Sequence, residues 1–167
     1  MKTNFTLRAI VSALAVAGAT FAVNGFAAQH TDTMAVSATV VDSCMVVGGA
    51  VAFGNVDPFG AGVAATGDIT TLCTTGTVYR VGLGAGNSVG ATTSTRKMTN
   101  ATTTLNYGLF SDPAHAANFD DIGTAGIFTG TGSGLVQHVP VYGLVPGNQS
   151  TVIIGAYTDV VNVTVDF

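Results

Sequence analysis

The chain has 167 residues, a formal net charge of −4 and only 8% charged residues, with 22 Gly and no Trp. Nine Asp and no Glu stand against five basic residues, of which Arg80, Arg96 and Lys97 alone lie beyond the first ten positions. No basic stripe exists to neutralise phosphates, which excludes nucleic-acid binding. The length suits one domain with a sizeable core.

Residues 1–27 read as a secretory signal. Lys2 and Arg8 form a basic n-region, Ala9 to Phe21 an apolar stretch, and Gly25-Phe26-Ala27 or Ala28 a small-residue cleavage site. The apolar run falls short of the ~20 residues that a spanning helix needs. In an exported chain the two cysteines, Cys44 and Cys73, read as a disulfide, for no CxxC or His cluster accompanies them. Closing that loop contributes roughly 3–4 kcal/mol by the chain-entropy account.

Beyond the signal, Gly and Pro punctuate the chain too often for helices. Met34 to Val40 alternates first, with Met34, Val36, Ala38 and Val40 on one face. Lying before Cys44, this stretch is expected to extend freely from the domain. Val51 to Gly54, Asp68 to Cys73, Val78 to Leu83, Leu105 to Phe110, Gln137 to Tyr142 and Thr151 to Ile154 follow as predicted short strands. The Ala61–Thr66 stretch reads as a compact loop. The last predicted strand, Ala156 to Phe167, carries Val161, Val163, Val165 and Phe167 on one face. Chain ends are usually frayed and polar, so an alternating end with a terminal aromatic implies a partner. Short strands between turns predict an all-β sandwich or barrel.

Catalytic constellations are absent. His30, His115 and His138 stand far apart, and Asp120-Asp121 lacks the spacing of a calcium loop and reads as a solvated turn. Gly130 to Gly134 does not frame a nucleophilic serine. Gly60-Ala-Gly62 has no strand-to-helix turn around it, so no cofactor is expected. Two non-catalytic alternatives stay open. A secreted carbohydrate-binding sandwich fits the length, although Trp for sugar stacking is missing. A small outer-membrane barrel fits the terminal Phe, but Tyr79, Tyr107, Tyr142 and Tyr157 are too few for aromatic girdles.

Several ordered pieces resemble the spore coat protein U family, the Csu-type subunits of archaic chaperone–usher pili. They begin with the alternating strand that ends four residues before Cys44, Phe53-Gly54-Asn55-Val56-Asp57-Pro58, and Leu72-Cys73-Thr74-Thr75-Gly76-Thr77-Val78-Tyr79. Arg96-Lys97-Met98, Leu105 to Asp112, Val141 to Pro146, and Tyr157-Thr158-Asp159 leading into Val161 to Phe167 complete the set. The resemblance implies an incomplete immunoglobulin-like sandwich that lacks its last strand. It divides the chain into a signal (1–27), an extension with a donor strand (28–42) and a pilin domain (43–167). Met34, Val36, Ala38 and Val40 would be donor plugs. Val161, Val163, Val165 and Phe167 would form the acceptor edge and chaperone contact. The implied partners are a periplasmic chaperone, an outer-membrane usher and further copies or sibling pilins, on a cell-surface pilus that supports attachment and biofilm formation.

Overall fold

The structure, a computed structural model, describes residues 28–167; the predicted signal, residues 1–27, lies outside the described residues. Eight strands follow in order: β1 (Cys44–Gly48), β2 (Val63–Cys73), β3 (Val78–Leu83), β4 (Arg96–Thr99), β5 (Thr104–Phe110), β6 (Phe128–Thr131), β7 (Val136–Val145) and β8 (Val163–Asp166). All strand pairs are antiparallel. One sheet runs β1-β2-β7-β5-β4 and the other β6-β3-β8. The fold is an all-β, immunoglobulin-like sandwich. Two separate sheets with free edges overturn the barrel alternative, which requires one closed sheet.

Alternation builds the core. Ile69, Thr71 and Cys73 of β2, Val139, Val141 and Val145 of β7, and Leu105, Tyr107 and Leu109 of β5 point inward. Tyr79, Val81 and Leu83 of β3 face them from the second sheet. Tyr79 keeps its hydroxyl satisfied inside, because Thr71 Oγ1 donates to it at 3.1 Å. Cys44 and Cys73 are bonded and directly paired in register, which staples edge strand β1 to β2.

Several predicted elements differ. Val63 to Thr66 is no loop but the start of β2, paired with Val145 to Tyr142. Three alternating segments, Met34 to Val40, Val51 to Gly54 and Thr151 to Ile154, are not strands. The alternation of the last segment yields a strand only from Val163, since Ala156 to Asn162 has no neighbour to form a ladder with beyond a single bridge, Thr158 to Thr99. Asp120-Asp121 is half-buried against β3, where Leu83 N donates to Asp120 O at 2.8 Å. His138 sits on the outer face of β7, bonded through Nδ1 to Asp68 of β2.

Candidate functional site

An apolar trough opens between the sheets. Its cavities, about 400 and 850 Å³, share Val51, Phe53, Met98 and Tyr157. Ile69, Leu83, Tyr107, Leu109 and Val141 form the floor of the smaller one. Leu105 and Val152 line the larger.

The first wall is residues 49–58. Two glycines on the inner face of the large sheet let it settle there. A Cβ at Gly67 or at Gly143 would collide with Val51, and one at Gly143 also with the Phe53 ring. Phe53 meets Tyr107 edge-on at a centroid distance of 6.1 Å. Among the described residues, no backbone amide from Ala50 to Val56 has a hydrogen-bond partner. This wall is outside both sheets, and its backbone amides are left without ladder partners.

The second wall is residues 152–163, held by polar clamps. Thr99 and Thr158 exchange backbone hydrogen bonds at 2.9 and 3.1 Å. Tyr157 Oη lies 2.5 Å from Thr103 Oγ1, accepts from Ile153 N at 3.1 Å and donates to Ile153 O at 2.9 Å. Asp159 accepts from the Tyr107 hydroxyl at 2.7 Å and from the amides of Asn87 and Val160 at 2.8 and 2.9 Å. Gly86, at φ +89°, is required here: any Cβ would strike the Asp159 carboxylate. Burial first, and then the bond to Asp159, push the Tyr107 phenol well above its ordinary range.

Arg96 braces the end of β3 beneath this wall. Its side chain is fully buried, and its guanidinium donates to four backbone carbonyls: Gly84, Thr93, Leu83 and Phe119, at 2.8, 2.5, 2.7 and 2.7 Å. Burial lowers its pKa, and Tyr107, Asp120, Asp121 and Asp159 nearby oppose that shift. Sequence reasoning missed this role, although it had singled out the Arg96-Lys97-Met98 run.

The structure distributes the predicted site residues unevenly. Val161 and Val163 line the smaller cavity. Val165 packs against the core without lining it, and Phe167 is 56% exposed. β8 is an edge strand of its sheet. Residues 28–42, with Met34, Val36, Ala38 and Val40, form no strand and are all exposed. Among the described residues no group of three or more His, Cys, Asp or Glu is placed to hold a metal ion.

Comparison with known proteins bears on the fold and the family. No curated protein matches the chain. The fold is similar to a chain in the crystal structure of the CsuC–CsuE chaperone–tip adhesion subunit pre-assembly complex from archaic chaperone–usher Csu pili of Acinetobacter baumannii, with TM-score 0.57 and 20% identity over 77% of this chain. The match spans 41% of that chain's length. The profile of the Spore Coat Protein U domain matches residues 30–164, well over half of the sequence, and the chain therefore belongs to the Spore Coat Protein U domain family.

Proposed function

We propose that the chain is a structural pilus subunit that polymerises by donor-strand exchange. The observation that carries this is the stretch from Ala50 to Val56, which lines an apolar trough with its amides unpaired, while β8, whose Val163 lines the same trough, is an edge strand. An extended peptide laid there gains backbone hydrogen bonds for affinity and pockets for alternate side chains. Residues 34–40 of another copy match that need, with Met34, Val36, Ala38 and Val40 spaced for one face of a strand.

A periplasmic chaperone covers the trough first, contacting Val161, Val163 and the chain end near Val165 and Phe167. An outer-membrane usher then passes the subunit to the growing fibre, composed of further copies or sibling pilins. The chain is exported through the periplasm to a cell-surface pilus that supports attachment and biofilm formation, and it performs no catalysis. No nucleotide is consumed, because the covered subunit is only partly folded and strand exchange completes it.

Val36→Asp tests the donor assignment. The variant should co-purify with its chaperone as wild type does, yet fail to polymerise, because a carboxylate cannot enter the trough unpaired. Normal fibres from this variant would refute the donor role. Deleting residues 28–42 separates this function from a secreted carbohydrate-binding sandwich, which would bind sugar unchanged without them.

A further inference from the structure

The donor stretch is anchored to the domain almost immediately behind its last plug. Asp42 Oδ1 accepts from Thr77 Oγ1 at 2.9 Å. Ser43 O accepts from Thr74 N at 2.9 Å and from Thr74 Oγ1 at 3.3 Å. Only Val41 lies between Val40 and anchored Asp42. Two residues of extended chain reach about 7 Å, less than the spacing of about 10 Å between two packed sheets. If Val40 of one copy sits in the trough of another, the two domains must touch around this anchor.

The surface beside the anchor is apolar. Met45, Leu72 and Val136 form one cross-strand row on the outer face of β1, β2 and β7. They are 64%, 39% and 55% exposed, with Val47 one step further along β1. This face carries no charge before the Asp68–His138 pair. Gly48 and Val163 lie close together in the lining of the smaller cavity, where a Cβ at Gly48 would come within 3.0 Å of Val163. At the larger cavity, the lining residues Ile153 and Ile154 are exposed and apolar as well. Apolar surface then meets apolar surface head to tail, a heterologous contact that propagates as a filament.

We propose that the Met45–Leu72–Val136 row is a docking surface for a second copy of this chain, the copy whose trough holds residues 34–40. This rests on the donor-strand function and adds an oriented domain–domain contact to it.

Hydroxyl-radical oxidation of Met45, followed by mass spectrometry, tests it. Fibres of the full chain are compared with monomers whose trough is filled by a free peptide of residues 31–42. Met45 should oxidise several-fold more slowly in the fibre. In Leu72→Glu fibres, or in Val136→Lys fibres should the first not fold, the monomer rate should return while the SDS-resistant ladder persists. Equal rates in wild-type fibre and filled monomer would overturn the docking surface and leave strand exchange standing. Protection of Met45 in the chaperone complex but not in the fibre would also overturn it, assigning the row to the chaperone. Absence of any wild-type ladder would instead remove the donor-strand function, and the docking surface with it.

Discussion

Tyr107 on β5 and Asp159 ahead of β8 are hydrogen-bonded at 2.7 Å, which ties the large sheet to the wall that leads into the last strand. The same carboxylate holds the amides of Asn87 and Val160, so one side chain fixes three stretches of backbone around the trough. Asp159→Ala should cost about 1–3 kcal/mol, the scale of buried donors left without a partner. Amide exchange should quicken across residues 157–162 and leave β2 and β7 unchanged. Uniform loss of protection throughout the domain would mean that Asp159 supports the whole fold and not this wall.

The Tyr107 phenol gives a pH dependence of known sign. Burial and then the bond to Asp159 raise its folded pKa above the unfolded value of about 10. Its contribution is complete below the unfolded pKa and is lost progressively as pH rises from there towards the folded pKa. The melting temperature of wild type should therefore fall more steeply from about pH 8 to about pH 11 than that of Tyr107→Phe. Parallel slopes would show that the phenol titrates alike in both states.

Arg96 is the largest fully buried side chain among the described residues. Arg96→Ala leaves the carbonyls of Leu83, Gly84 and Phe119 without their donor, and urea unfolding should show a loss of roughly 3 kcal/mol or more. Arg96→Lys should recover little, because an ammonium lacks the planar fork that reaches several carbonyls at once. Full recovery by Lys would show that charge alone is needed.

The Cys44–Cys73 bond closes a 29-residue separation. Cys44→Ala should lower the periplasmic yield of folded subunit, on the scale of roughly 3–4 kcal/mol in the chain-entropy account. Unchanged yield under oxidising conditions would indicate that register with β2 suffices to hold β1.

Much of the sandwich was legible in the sequence, because buried strands alternate. Val78 to Leu83 matches β3 at both ends, and β5 and β7 appear with shorter bounds. Three strands escaped notice. β1 (CMVVG) has apolar residues on both faces, since Met45 and Val47 point outward, while β4 and β6 are four residues each. The three alternating segments that are not strands teach more. Val51 to Gly54 and Thr151 to Ile154 line the two sides of the trough, and Met34 to Val40 is the proposed donor. Under the proposed function their pattern would encode a strand interface with another chain, which accounts for periodicity without pairing inside this one. Arg96 was illegible for the opposite reason. Arginine is almost never fully buried, and its four acceptors are backbone carbonyls that leave no trace in side-chain identity.

Strand exchange between copies is the central claim, and an unboiled SDS gel of material sheared from the cell surface tests it most directly. A ladder at whole multiples of the mature subunit, collapsing only on strong heating, is the predicted result. A single monomer band before and after boiling, from cells that export the folded subunit, would contradict it.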